Sequence, residues 1–250
     1  MTTGPDLHVG GTGTLRIVEI FGPTIQGEGP NVGRAAMFLR LAGCNLTCTW
    51  CDTAFSWDAT RRDPERPVQE VAVRDVFAAL DPRSAGDDAV PPAVTHLVVT
   101  GGEPLLQARE LVGLAESLIG LGWTIEVETS GTVSPAPLVG LIGQFNVSPK
   151  LSNSGVPERA RLRPQVLREF AALPGATFKL VAEEVGDLEE AAQVVADLGV
   201  ASSKVFVMAQ GTTGADVLRR SRELVDAVAT RGWALTPRWH TMLWDDERGR

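Results

Sequence analysis

The chain has 250 residues, 44% hydrophobic and 22% charged, the usage of an ordinary globular protein, which excludes a disordered or fibrous one. Its formal net charge of -8 opposes the basic footprint of proteins that grip a phosphate backbone, so nucleic acid is not an expected partner. No apolar run reaches the roughly eighteen residues that span a bilayer, and the Gly- and Thr-rich start lacks the basic-then-apolar pattern of a secretory signal; a cytoplasmic location with no membrane contact is expected.

In chain order, 1–14 reads as a frayed or disordered tail, 15–240 as one domain and 241–250 as a C-terminal tail. Apolar, β-rich runs then alternate with amphipathic stretches. A strand over 36–41 leads into a loop that carries every cysteine of the chain. The stretches 61–67 and 81–92, dense in Pro and charge, read as surface insertions on either side of a helix over 68–80. A strand over 96–100, a helix over 107–121 and strands over 124–128 and 145–148 follow. A helix over 163–172 has Pro164 at its first position. Then come a strand over 177–181 and a helix over 187–198, capped by Asp187 and closed by Gly199. A strand over 204–208, a helix over 215–230 followed by Gly232, and a short strand over 233–235 complete the series. Alternating units of this kind predict an α/β fold, a partial, open (β/α)6-type barrel whose functional groups gather at the carboxyl ends of the strands.

The cysteine loop reads Gly43-Cys44-Asn45-Leu46-Thr47-Cys48-Thr49-Trp50-Cys51. An odd, crowded set of thiols is a poor disulfide framework and suits a reducing compartment. Three thiolates so spaced can wrap one small centre. A four-iron cluster held by only three protein ligands keeps one iron open to the amino and carboxylate groups of an added molecule. Two plainer readings stand beside it. A structural zinc site wants a fourth Cys or His, whereas His8, His96 and His240 lie far off in sequence; alternatively, the thiols are inert and buried. The strand over 96–100 runs into Thr100-Gly101-Gly102-Glu103-Pro104. Its glycines allow close backbone approach to a ligand, and Glu103 either accepts a charge-assisted hydrogen bond or holds the turn.

Cys44, Cys48 and Cys51, with Trp50 before the last of them and the Gly-Gly-Glu-Pro stretch, resemble the signature of the radical S-adenosylmethionine superfamily. Within it the chain resembles the 7-carboxy-7-deazaguanine synthase family. That resemblance is carried by Ile25-Gln26-Gly27-Glu28-Gly29-Pro30, by the run from Gly33 to Cys44 and by Cys51-Asp52-Thr53. It continues through Thr100 to Leu105, Glu128-Thr129-Ser130-Gly131 and Val147-Ser148-Pro149-Lys150. It covers most of the chain and is densest between 17 and 150. It implies a lyase that converts 6-carboxy-5,6,7,8-tetrahydropterin to 7-carboxy-7-deazaguanine with loss of ammonia, in 7-deazapurine (queuosine precursor) synthesis. The implied cofactors are a 4Fe-4S cluster, S-adenosylmethionine and Mg2+, and the implied partners an electron donor such as flavodoxin or ferredoxin and a second copy in a homodimer.

By the same resemblance, S-adenosylmethionine would meet Trp50, Asp52, Gly101, Gly102, Glu103, Ser148, Pro149, Lys150 and Gln210. The substrate would meet Ile25, Gln26, Gly27, Glu28, Arg40, Thr100 and His240, and Thr53 would offer its hydroxyl to Mg2+, a hard cation that favours oxygen. Residue chemistry agrees, since Glu28 can accept from a flat amide and guanidine edge and Arg40 can clamp a carboxylate with two parallel donors. The competing readings are a surface turn for 26–30, a rim ion pair for Arg40, a surface role for Lys150, a structural one for His240, and a loop-closing Thr53. The chain departs from the family pattern at Met208-Ala209-Gln210-Gly211 and runs on beyond His240 as a charged segment that either caps the barrel or hangs in solvent. A glycyl-radical activase is the rival enzyme reading and a zinc-binding interaction module the non-enzymatic one; the segment 26–29 and Thr53 favour a small polar heterocycle and a metal over both.

Overall fold

The computed structural model describes residues 13–81, 83 and 92–249, and nine strands in it form one sheet. They are β1 (Thr14–Ile25), β2 (Ala35–Leu41), β3 (Gln69–Ala72), β4 (His96–Gly101), β5 (Thr124–Thr129), β6 (Gln144–Val147), β7 (Ala176–Ala182), β8 (Val205–Ala209) and β9 (Ala234–Thr236). Their order across the sheet is β3-β1-β2-β4-β5-β6-β7-β8-β9. From β2 to β9 every neighbouring pair is parallel, whereas β1 runs antiparallel to both β2 and β3. β3 and β9 are free edges, so the sheet does not close. The helices are α1 (Val73–Leu80), α2 (Ala108–Gly120), α3 (Glu158–Arg161), α4 (Pro164–Ala171), α5 (Asp187–Leu198), α6 (Gly214–Thr230) and α7 (Trp239–Trp244). The β5–β6 crossover alone has no α-helix, only the short 3-10 turn Ala136–Leu138.

Side chains of a strand alternate between faces, and here the two faces differ in chemistry. Leu39, Leu41, Leu97, Val99, Ile125, Val127, Phe145, Val147 and Phe178 point outward into the main core, where they meet Phe77 of α1, Leu111, Leu114 and Leu118 of α2, and Leu167 and Phe170 of α4. Burying each such side chain is worth about 1.5–3 kcal/mol, so this outer layer stabilises the fold. The inward positions carry Arg40, Thr100, Glu126, Glu128, Asn146 and Lys179. Parallel register sets Arg40 beside Thr100 and Glu128 beside Asn146. The sheet curls far enough for the loop after β1 to reach β9 and the start of α7: Gly29 N–H donates to Thr236 Oγ1 at 2.7 Å, and Trp239 N–H to the Gly27 carbonyl at 3.0 Å.

Four elements differ from the sequence reading, go beyond it or decide between its alternatives. The helix over 68–80 begins only at Val73, because 69–72 pairs with β1 as the edge strand β3, setting Leu15 against Val71. β1 itself was not expected; its inward and outward alternation is broken by Gly22-Pro23, where the register with β2 shifts. The C-terminal segment is no free tail, since α7 occupies Trp239–Trp244 and Asp245 accepts from Gly214 N–H at 2.8 Å. The short helix α3 also lies in a stretch with no expected element. The expected N-terminal tail and the insertion 81–92 lie almost wholly outside the described residues.

Candidate active site

The cysteine loop follows β2 and is pinned from two sides. Thr49 N–H donates to the Ser154 carbonyl and Trp50 Nε1 to that of Asn153, each at 3.0 Å. On the other side the turn after β4 presses against its start. A side-chain carbon on Gly102 would stand 2.2 Å from the Gly43 carbonyl oxygen and 2.7 Å from Cys44 Cβ; only glycine admits this approach. Glu103 sits beneath, fully buried. Its carboxylate accepts from Leu105 N–H at 3.1 Å, Thr129 Oγ1 and Ser130 N–H at 2.8 Å, and Ser130 Oγ at 2.5 Å, so it ties the end of β4 to the end of β5 and holds the turn.

All three cysteines are unpaired and half-buried. Leu46 N–H donates to Cys44 Sγ and Trp57 Nε1 to Cys51 Sγ, both at 3.4 Å. Burial pushes the Cys44 thiol up to about 11; the Leu46 N–H opposes this, while Glu103 and the other two cysteines add to it. Burial raises Cys48 likewise, against the Lys150 ammonium. Three neighbouring thiolates are therefore costly unless a metal centre takes up their charge. Among the described residues no three His, Cys, Asp or Glu side chains converge on one metal-ion position. A four-iron cluster, which takes a thiolate on each of several irons, suits this donor set of three half-buried thiols.

Inside the barrel lies a charged group assembled from inward positions of β5, β6 and β7, the loop after β1 and the segment entering α7. Lys179 Nζ on β7 pairs with Glu28 Oε2 and with Glu128 Oε2, the latter at 2.6 Å. Glu128 Oε1 accepts from Asn146 Nδ2 at 2.8 Å, and Glu126 accepts from Gln26, from Asn146 at 2.6 Å and from Asn31 at 2.5 Å. From the C-terminal side Arg238 pairs with Asp52, donates to the Gly211 carbonyl at 2.5 Å and approaches Glu28 Oε1 at 3.7 Å. His240 Nε2 stands 3.5 Å from that same oxygen. Burial alone would raise Glu28, but Lys179 first, then His240 and Arg238, hold it well below the usual carboxylate range. Burial likewise works to raise Asp52, and Arg238 keeps it low. Burial lowers the His240 imidazole despite Glu28.

These parts share one cavity of about 470 Å³, within the range of small-molecule sites. Of the residues expected at the site, Cys44, Cys48, Trp50, Cys51, Asp52, Thr53, Gly101, Gly102, Ser148, Lys150 and Gln210 line it, and so do Ile25, Gln26, Glu28, Arg40, Thr100 and His240. Three do not. Glu103 is buried under the turn, Pro149 contributes no wall, and Gly27 acts from behind: a side-chain carbon there would stand 2.3 Å from His240 Nδ1. Several of these residues are held by neighbours within the protein. Arg40 Nε pairs with Glu19 at 2.7 Å while its guanidinium lies over Phe21 and Phe55, at 5.5 and 5.7 Å from the ring centres. Lys150 donates to Ser148 Oγ at 2.9 Å and lies 5.9 Å from the Trp50 ring centre. Gln210 is held by Arg220. The Thr53 hydroxyl makes no capping hydrogen bond to the turn Ala54–Ser56; its contact is Cys51 Sγ at 3.7 Å.

Glu19, Glu128, Lys179 and Arg238 also line the cavity and were missed from sequence. The signal was present at Glu126, Glu128 and Lys179, charged residues at period two inside otherwise apolar strands. The C-terminal segment supplies the remaining wall through Asp245, Asp246, Arg248 and Gly249. Arg248 stacks 3.6 Å over Phe55, so this segment caps the barrel mouth.

Comparison with known proteins agrees with this arrangement. The family described as "4Fe-4S single cluster domain" matches residues 25–128. The 7-carboxy-7-deazaguanine synthase of Pyrobaculum aerophilum is 39% identical over 96% of this chain and 99% of its own length. That of Bacillus subtilis is 31% identical over 94% and 98% respectively. Among solved structures, QueE from Escherichia coli superposes with a TM-score of 0.66 at 24% identity, over 89% of this chain and 93% of that one, a likeness of fold.

Proposed function

Because the chain belongs to the 7-carboxy-7-deazaguanine synthase family, we propose that its cavity converts 6-carboxy-5,6,7,8-tetrahydropterin to 7-carboxy-7-deazaguanine and ammonia. It is a radical S-adenosylmethionine enzyme. The observation that carries the reading is one cavity that joins three free thiols at its mouth to a buried array of carboxylates and cations within. Cys44, Cys48 and Cys51 would hold a four-iron cluster that, together with S-adenosylmethionine, would supply the radical chemistry needed to take hydrogen from the substrate.

The protein's own residues bind, orient and exclude water. Gly101 and Gly102 let the backbone approach S-adenosylmethionine, with Trp50, Asp52, Ser148, Lys150 and Gln210 around it; Glu103 and Pro149 act from below by shaping the turns. Glu28 and the backbone around Gln26, beside Ile25 and Thr100, accept from the amide and guanidine edge of the pterin. Arg40, preset by Glu19 and sandwiched by Phe21 and Phe55, turns its free Nη donors to the substrate carboxylate. His240, its imidazole kept neutral by burial, contributes a donor or an acceptor beside Glu28. The Thr53 hydroxyl would help to hold Mg2+, a hard cation that would offset the charge of the substrate carboxylate. We assign the enzyme to the cytoplasm as a homodimer reduced by flavodoxin or ferredoxin.

Product and substrate differ by one ammonia, so no net oxidation occurs and S-adenosylmethionine is recovered. The test is anaerobic turnover of the carboxytetrahydropterin by reconstituted enzyme, followed by deazapurine absorbance and ammonia release. Absence of the deazapurine, or one deoxyadenosine accumulated per product, would contradict the proposal.

A further inference from the structure

Lys179 stands on the inward face of β7 with only 4% of its surface exposed, between the two carboxylates it touches. Taking an ammonium out of water costs several kcal/mol, and a buried ion pair is often no more stabilising than apolar residues of similar volume. Stability alone therefore does not account for a lysine among Phe178, Leu180 and Val181 on this strand. Its partners do, because Glu28 and Glu128 come from different elements and both line the cavity. Without a cation between them, two such carboxylates repel, and one takes up a proton.

We propose that Lys179 is a positioning residue, whose ammonium, clamped between Glu28 and Glu128, holds the two carboxylates as a matched pair of acceptors for the donor-rich edge of the substrate. This inference rests on the reading above that the cavity takes the pterin. The geometry leaves one oxygen of each carboxylate open to a further donor: Glu128 Oε1 already accepts from Gln26 and Asn146, but Oε2 has Lys179 alone, and Glu28 Oε1 has only the longer approaches of Arg238 and His240. An amino group and a ring N–H side by side match two acceptors. A protonated carboxyl presents a donor instead and opposes one of them.

The charges facing this pair are Glu126 from the same strand as Glu128, and Arg238 and His240 from the segment that enters α7. Their effects are unequal. Glu28 is held low chiefly by Lys179, with Arg238 and the His240 ring beside it. Glu128 sits high, because burial, Glu28 and Glu126 together outweigh Lys179. Glu128 is thus the member that takes a proton when Lys179 is lost.

The experiment uses the reconstituted holoenzyme and two variants, Lys179→Met and the charge-balanced Lys179→Met/Glu128→Gln, with iron content and melting temperature measured for each. KM and kcat for the pterin are followed from about pH 6 to about pH 9, the span in which a raised carboxyl titrates. In Lys179→Met, KM near neutrality should rise roughly tenfold or more, the size of a lost charged hydrogen-bond partner. It should then fall back as pH rises, relative to the parent enzyme, while kcat changes less. The double variant should recover melting temperature and keep a raised KM with no such pH slope; it also carries the test if the single variant does not fold. A KM in Lys179→Met equal to the parent's, or raised by the same factor at every pH, overturns the role of Lys179, as does a parental KM in the double variant. Failure of the parent itself to turn over the pterin overturns the substrate reading and this inference with it.

Discussion

Arg238→Met tests whether the C-terminal segment is structurally part of the site. The guanidinium is 5% exposed and joins three loops through Asp52, Gly211 and Glu28. Removing one partner of a fully buried pair costs about 3–5 kcal/mol, but that figure must be reduced here. The Asp52 side chain keeps 47% exposure, so water replaces the lost cation and its share falls to about 1 kcal/mol or less. Glu28 retains Lys179. The Gly211 carbonyl is buried and loses a charged donor, worth about 1.5–3 kcal/mol. The sum is roughly 2–4 kcal/mol, and for a chain of this size about 2–4 °C accompanies each kcal/mol. Thermal unfolding of the cluster-free variant, followed by circular dichroism, should show a melting temperature roughly 5–15 °C lower. A loss under about 2 °C would mean that Arg238 does not hold the three loops together.

Replacing Cys44, Cys48 or Cys51 by Ala should abolish the iron and colour of anaerobically reconstituted protein; full iron content in the triple variant would refute their role as ligands. Gly102→Ala forces its new carbon against the Gly43 carbonyl and Cys44, so backbone must shift, at about 1–3 kcal/mol, and cluster loading measured by iron analysis should fall with it. Thr53→Ala should keep its cluster but lose stimulation by magnesium, and activation at the parent's magnesium concentration would remove Thr53 from the metal. Glu28 is held at about 2 against an ordinary 4.5; the stability it contributes is present above about pH 4.5 and lost as pH falls through about 2. The melting temperature of cluster-free protein should drop across that window, and Glu28→Gln should flatten the drop.

Local signals made much of this protein legible. Helix α5 matches its expected bounds, closed by Gly199 in the left-handed conformation; the expected cap by Asp187 is corrected, because Gly186 is the N-cap and Asp187, the first helical residue, accepts instead from Glu183 and Glu184 N–H. The cysteine spacing names a chemistry outright, since all three ligands lie within one loop. The strands β4 to β8 followed from apolar runs of the right length. Elements defined by a partner distant in sequence were missed or left open. β3 is a strand only because β1 offers it an edge to pair with, and the final segment is a cap only because Asp245, Arg248 and Arg238 find Gly214, Phe55 and Asp52 across the mouth.

The cluster loop and the α/β order were therefore written locally in the chain. The identity of the inward face was decided by tertiary structure alone. Glu126, Glu128 and Lys179 read in isolation as interruptions of apolar strands, for period two says that they share a face but not which one. Curling of the sheet brings β5, β7 and the loop after β1 around one cavity, and there an ammonium can lie between Glu28 and Glu128. Such a pairing depends on strand order and register, which set distances between residues up to 151 positions apart, and no local pattern encodes those.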